Sequence, residues 1–224
     1  FFNESYYFDA GKESCIFELS GIRFGINICS DFWLGHAANV IDRPHVDVLL
    51  VLNASAYHIK KQVSRYQITH QFVKQTGIPV IHANLVGGQD ELVFDGASFA
   101  MNRQGELTHQ LQEFTETVGL VDIEDKQLIS GKLAASQPSI ASIYQALCLG
   151  VRDYVRKNNF PGVLLGLSGG VDSALTLAIA VDAVGAENVK TVMMPSQYTA
   201  DISVQDAQQM TQTMNITHYE CDIQ

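Results

Sequence analysis

The stretch Val163-Leu-Leu-Gly-Leu-Ser-Gly-Gly-Val-Asp-Ser-Ala174 constrains this chain more than any other. A short apolar run suited to a buried strand feeds a glycine-rich turn, and the turn opens an apolar helix-length segment over 172–184. Gly166, Gly169 and Gly170 have access to backbone angles that other residues avoid, so successive N–H groups can converge on one anion. The helix behind them adds its N-terminal partial positive charge. Two common phosphate motifs are excluded. No Gly-Lys-Ser/Thr follows the glycines, and their spacing is not G-x-G-x-x-G.

Ser168-Gly169-Gly170-Val171-Asp172-Ser173 instead resembles the pyrophosphate loop of the ATP pyrophosphatases, which split ATP into AMP and pyrophosphate to activate a carbonyl or carboxyl oxygen. A strand–turn–helix corner that uses glycine only for packing is the plainer reading. Six matching positions set between a strand and a helix make it the minority one. The resemblance implies that Gly166, Leu167, Ser168, Gly169, Gly170, Val171, Asp172 and Ser173 bind ATP. Asp172 can cap its helix and also hold Mg²⁺, a hard cation suited to oxygen ligands.

The pattern around this loop predicts a helix over 143–157, with Ile143, Leu147, Val151 and Val155 in register. Strands over 163–167, 189–194 and 216–221 then alternate with helices over 172–184 and 203–214. Such alternation predicts a parallel, doubly wound sheet that binds ligands at its strand C-termini. The first half mixes its elements differently. A hairpin over 15–29 turns at Ser20-Gly21, and strands follow over 46–53 and 80–84. Between them a helix over 60–76 carries Val63, Tyr66, His70 and Val73 on one face, before Gly77 and Pro79 stop it. A second hairpin, 97–101 with 106–110, flanks the turn at 102–105. Together these predict a layered α/β sandwich. Between the halves, 126–142 is poor in large apolar residues, as a linker would be.

Hydrophobic residues make up 46% and charged residues 17% of the 224, enough for a packed core. A net charge of −10 argues against nucleic acid or an anionic membrane as partner. Phosphate binding must then rest on local backbone dipoles and metal. Cys15, Cys29, Cys148 and Cys221 show no C-x-x-C spacing, so neither a zinc site nor a disulfide framework is indicated, and a reducing cytoplasm is the expected location. The start, Phe1-Phe-Asn-Glu-Ser-Tyr-Tyr-Phe-Asp9, has neither an initiator Met nor a signal-peptide pattern, and reads as the interior of a longer protein.

A free cysteine is by default a small buried hydrophobe, and that reading is kept for Cys15, Cys148 and Cys221. Cys29 differs. In Phe24-Gly-Ile-Asn-Ile-Cys-Ser-Asp-Phe-Trp33, residues Phe24, Ile26 and Ile28 alternate inward, which puts Cys29 on the other side at the strand's end. Gly25, Ile28, Cys29 and Asp31 are similar to the Gly-x-x-Ile-Cys-x-Asp pattern around the nucleophile of nitrilase-type amidases. Asn53-Ala-Ser-Ala-Tyr-His58, followed by Lys61 and Arg65, resembles the substrate segment of glutaminase domains in that superfamily, and Gly87–Gly96 resembles a loop of the same branch.

With both halves in this order, nearly the whole chain resembles the glutamine-dependent NAD⁺ synthetases. The resemblance implies a partial nitrilase-like α-β-β-α sandwich over 1–125 and a linker over 126–137. A partial Rossmann-like sheet of the adenine nucleotide alpha hydrolase type follows over 138–224. It further implies that Cys29 attacks the amide of glutamine to give a thioester and ammonia. Glu4 would be a supporting carboxylate, and Ser55 and Lys61 would contact the α-carboxylate and ammonium of glutamine. The second half would adenylate the nicotinate carboxylate of deamido-NAD⁺ at the expense of ATP, and ammonia would then displace AMP. A homo-oligomer is implied as well. Ser30, Ala56, Lys60 and Leu85 depart from the family's usual Glu, Pro, Gly and Gln, and Lys60 bears most directly on the shape of the glutamine pocket.

Three alternatives stay open on the sequence. A thiol amidase joined to a different adenylating domain fits the same loop. A Cys–His hydrolase would draw on His36, His58 or His82, but no spacing singles one out. A nucleotide-binding piece without catalysis is the third.

Overall fold

Strands β1 (Cys15–Leu19) and β2 (Ile22–Ile28) form the expected antiparallel hairpin. Ser20 at φ 52° and Gly21 at φ 77° supply the two left-handed residues that a tight two-residue hairpin turn requires. The computed structural model describes residues 6–9, 11, 13–33 and 45–223. Glu4 and His36 lie outside the described residues. The chain divides into two units, Phe1–Val86 with Phe94–Ser136, and Gly87–Val93 with Gln137–Gln224.

In the first unit a helical turn, α1 (Ser30–Trp33), follows β2. Then come β3 (Val48–Asn53), α2 (Lys61–Thr76), β4 (Val80–Asn84), the short pair β5 (Val86–Gln89) and β6 (Leu92–Asp95), β7 (Phe99–Met101), β8 (Leu107–Gln110), β9 (Ile123–Glu124) and β10 (Gln127–Leu128). A six-stranded sheet runs β1-β2-β3-β4-β7-β8, parallel from β2 to β4 and antiparallel outside them. Strand β3 shows why it lies in the middle. Leu49 and Val51 join Phe72 and Val73 of α2 in one core, while Val48 and Leu50 face a second core with Ile123 and Leu128. A strand apolar on both faces can only be stable when both are covered.

Two expectations need correction here. Residues 126–128 do not behave as a linker. Gln127–Leu128 pairs with Ile123–Glu124, Leu128 is buried, and Lys126 Nζ donates to Asp47 at 3.2 Å. The low apolar content of the segment concealed the one leucine that matters. Helix α2 buries only part of the predicted face, Val73 with Tyr66 packed against the core, and adds residues not predicted. Arg65, Thr69, Phe72 and Val73 are buried, whereas Val63 and His70 are exposed. The helix turns a cation inward because a carboxylate waits for it, as described below.

The second unit includes α3 (Ser139–Lys157), which begins four residues before the predicted start and has Pro138 as its N-cap. Its buried positions are Ser142, Ala146, Leu149 and Val155, and Leu147 is exposed. Val155 of the predicted stripe is buried and Ile143 and Val151 are half-buried, but the small residues Ser142 and Ala146 join Leu149 inward, which lets another helix approach closely. Tyr144 donates to Asp182 and Cys148 reaches Ile179 O of that helix. Next follow β11 (Val163–Gly166), α4 (Val171–Val184), β12 (Val189–Met193), α5 (Asp201–Thr213) and β13 (Thr217–Glu220), each within two residues of expectation. The three strands are parallel in the order β11-β12-β13, over a core holding Leu167, Leu177, Val189, Met193, Ala207 and Ile216. The tip of the β5–β6 hairpin belongs to this unit, where Asp153 accepts from Gly88 N at 2.7 Å. No helix among the described residues is long and apolar enough to cross a membrane.

Candidate active sites

At the carboxyl end of β2 the chain must leave the sheet abruptly, and Cys29 makes the bend. Its φ is 43°, a left-handed conformation unusual for a side chain with Cβ, and such conformations persist only where the surroundings enforce them. Three bonds do so. Cys29 N donates to Leu52 O at 2.9 Å, Cys29 O accepts from Phe32 N at 3.1 Å, and Ile28 N donates to the Asp31 carboxylate at 3.3 Å. Cys29 is left half-buried at the sheet edge, a position from which a thiol can meet a small ligand. Ile28, expected to point inward, is 58% exposed, because the strand has already run past the core at that point. Cys15 and Cys221 are likewise exposed rather than buried, the first on the edge strand and the second beyond β13.

Lys61, the first residue of α2, carries its ammonium 4.2 Å from the centre of the Trp33 ring. Desolvation, and then the charge of Arg65, lower its pKa from the ordinary lysine value, while the charge of Cys29 acts in the opposite sense. The nucleophile candidate and this lysine are thus within electrostatic reach. The Trp33 indole N–H donates to Asn53 Oδ1 at 3.2 Å, and Asn53 Nδ2 lies 3.0 Å from His82 Nε2. His82 is 1% exposed, and burial pushes its pKa down to about 3, so it is neutral. The adjacent Lys60, where glycine was expected, sits at φ 69° as the N-cap of α2. The conformation explains why glycine would suit the position.

Ser55 lies beneath this surface rather than on it. It is buried, its N–H donates to Asn84 Oδ1 at 2.9 Å, and its hydroxyl and carbonyl accept from Arg65 at 3.4 and 2.7 Å. Arg65 in turn pairs in a fork with Asp95, both contacts 2.8 Å, with the two side chains 0% and 2% exposed. A buried bidentate pair of this kind holds its neighbours in register. Sequence reasoning named Arg65 but missed its partner, since Asp95 is 30 residues away.

The second site is built largely of backbone. Leu167 closes the strand end, its side chain buried and its N–H on Val192 O at 2.9 Å, so it anchors the loop and offers no side chain to a ligand. Ser168 and Ser173 hydroxyls lie 3.0 Å apart, and Ser173 Oγ donates to Gly170 O at 2.9 Å, cross-bracing the turn. Gly169 is required twice over. Its φ is 75°, and an added Cβ would lie 2.1 Å from Ser203 O. Gly166, by contrast, borders open space. Asp172 stands exposed in the first turn of α4. A groove beside the loop is lined by Gly169, Gly170, Val171, Ala174, Asp206 and Met210, among others. Residues 195–198 form a separate pocket with Asp222 and Ile223 at the C-terminal ends of β12 and β13.

At the carboxyl end of β2 a strained cysteine within electrostatic reach of a lysine forms a candidate nucleophile site, and the comparisons give the families to which the two halves are similar. The carbon-nitrogen hydrolase family model matches residues 1–132, and the chain belongs to that family. The NAD synthase model matches residues 143–224. Over 218 residues the chain is 44% identical to the glutamine-dependent NAD(+) synthetase of Acinetobacter baylyi, covering 96% of this chain and 40% of that protein. It is 42% identical to the same enzyme of Rhodobacter capsulatus, covering 92% and 38%. The solved structure of glutamine-dependent NAD+ synthetase from Acinetobacter baumannii in complex with ADP superposes with a TM-score of 0.93 at 43% identity, over 99% of this chain and 43% of that one. The chain therefore spans about 40% of the length of the relatives it matches.

Proposed function

We propose that this chain carries the nucleophile of a glutaminase and the phosphate loop of an adenylating synthetase, as sections of a glutamine-dependent NAD⁺ synthetase. The observation that carries the reading is the presence of both in one chain, in family order. A cysteine held at φ 43° within reach of Lys61 precedes a loop in which Gly169 admits no side chain. In the first half-reaction the Cys29 sulfur bonds to the amide carbon of glutamine. The C–N bond breaks, ammonia leaves, and water hydrolyses the thioester to glutamate. Lys61 would bind the α-carboxylate, and a contact from Ser55 is proposed by resemblance alone, the residue lying buried against Arg65. Glu4 is proposed as a supporting carboxylate by resemblance alone.

In the second half-reaction ATP is a substrate. The loop N–H groups and the N-terminus of α4 bind its phosphates, which leaves the α-phosphorus open to the nicotinate carboxylate of deamido-NAD⁺. The donor set fits magnesium, since the exposed carboxylate of Asp172 stands at the loop with Asp206 lining the groove beside it, and Mg²⁺ is commonly held by one or two carboxylates together with substrate phosphates. When bound, the ion would neutralise charge on the departing pyrophosphate. Pocket residues 195–198 are proposed to face the adenosine. The reading also carries a cytoplasmic homo-oligomer with neither nucleic acid nor membrane as partner, and the net charge of −10 supports only the last two exclusions.

The test uses the full gene product with amide-¹⁵N glutamine, Mg·ATP and deamido-NAD⁺, followed by mass spectrometry. ¹⁵N-labelled NAD⁺ together with AMP is expected. AMP with no labelled NAD⁺, rescued by free ammonia, would remove the glutaminase role from Cys29. Neither product would remove the synthetase reading and favour an adenylating domain acting on a different acid.

A further inference from the structure

Lys61 occupies an unfavourable place for a cation. It lies in the first turn of α2, where the helix dipole repels positive charge, and Arg65 one turn later adds to the repulsion. The negative face of the Trp33 ring compensates, provided the ring is held still. Two contacts hold it. Trp33 N donates to Cys29 O at 3.4 Å, tying ring and nucleophile to one turn, and the indole N–H is fixed by Asn53.

The Asn53 amide can make both of its contacts in one sense only. With its oxygen accepting from the indole, its NH₂ must point at His82, and Nε2 there must offer a lone pair. A protonated or inverted imidazole would set donor against donor. The ring is clamped accordingly, stacked on Phe99 at 4.7 Å between centroids and edged by Phe32 at 6.4 Å.

We propose that His82 is a positioning residue for the glutamine subsite. As a neutral acceptor it orients Asn53, Asn53 fixes the Trp33 indole, and the indole face holds the Lys61 ammonium beside Cys29. The inference rests on the reading of Cys29 and Lys61 as a glutamine-hydrolysing site. His82 itself touches no substrate, and its influence reaches the ligand only through Lys61.

Glutamine titrations of the full gene product test this with His82→Phe, which keeps a ring against Phe99 but loses the acceptor. The KM for glutamine should rise about tenfold with kcat within about twofold, the pattern of lost ground-state binding. His82→Gln, with an oxygen available to Asn53, should recover most of the loss. In a Lys61→Met background, His82→Phe should add nothing. Trp33→Phe, the milder change, keeps a ring face but lacks the N–H and should give an intermediate KM.

A second readout is independent of turnover. Trp33 is the single tryptophan of this chain, so its indole ¹H–¹⁵N resonance is unambiguous in the chain itself and should move in His82→Phe. An unmoved resonance overturns the relay. A moved resonance with unchanged KM, or an equal KM effect in the Lys61→Met background, overturns the positioning role. If the wild-type protein turns over no glutamine, the site reading falls and the positioning role with it, while the resonance still reports on the relay.

Discussion

The candidate site at Cys29 and the proposed phosphate loop over 166–173 both stand at the carboxyl end of a strand but are built by opposite means. The first is made of side chains brought in from separate elements: Trp33, Asn53, Lys61 and His82 around the cysteine, with Arg65 and Asp95 beneath. The second is made of contiguous backbone, with two hydroxyls bracing the turn and the carboxylates of Asp172 and Asp206 beside it. A side-chain site can be tuned one partner at a time, and it collapses when a buried partner is lost. A backbone site tolerates side-chain change but has no substitute for the residue that gives the chain its path.

The comparison is broken most severely at the reacting atom. Cys29→Ser should lower glutamine-dependent NAD⁺ formation on the order of 10⁴-fold, as loss of a nucleophile does, while ammonia-dependent formation survives. Equal loss with ammonia would mean that the two sites are not separable. Asp95→Ala strands the Arg65 cation in the core and should destabilise the protein by about 3–5 kcal/mol, read from urea unfolding. A double change to matched apolar residues should recover much of that stability. On the backbone side, Gly169→Ala must adopt φ 75° and meet Ser203 O, which should cost about 1–3 kcal/mol and abolish AMP formation, with Cys29 labelling by a glutamine-like electrophile unaffected.

Acid separates the regions within the first unit. The pKa of His82 is lowered, so between the unfolded value of about 6.5 and the folded value of about 3 only the unfolded chain takes up its proton. Stability should therefore fall as pH drops through that window, by at most about 1.4 kcal/mol per pH unit from this group. Asp47, whose carboxylate accepts from Arg23 and Lys126, is also lowered, well below the usual carboxylate range. Its contribution is present above the unfolded value of about 3.9 and is lost only as pH falls further. His82→Gln should flatten the stability profile between pH 4 and 6, and Asp47→Asn only below it. The smallest effect expected is a gain. Lys60→Gly relieves a left-handed residue and should stabilise by about 1 kcal/mol in thermal melts.

Much of this was legible in the sequence. The strand–loop–helix of 163–184, the alternation after it and the bend carrying Cys29 all follow from neighbours in the chain, because glycine geometry, capping and apolar period act over a few residues. Partnership was not legible. The apolar stripe caught Val73 and Val155 but misplaced Val63, His70 and Leu147, since the faces that pack also depend on Asp95 in one case and on room for a neighbouring helix in the other. Ser55 could be named from its motif, but not its place under the surface, held by Arg65 and Asn84.

The sequence by itself determined that this chain folds as two α/β halves, one ending a strand in cysteine and the other turning on glycine from a strand into a helix. Only the tertiary structure decided which charges are buried together, which tautomer of His82 the core requires and what holds Lys61. Those choices depend on pairs distant in the chain, such as Arg65 and Asp95, or Asn53 and His82, whose interactions gain strength only where water has been excluded.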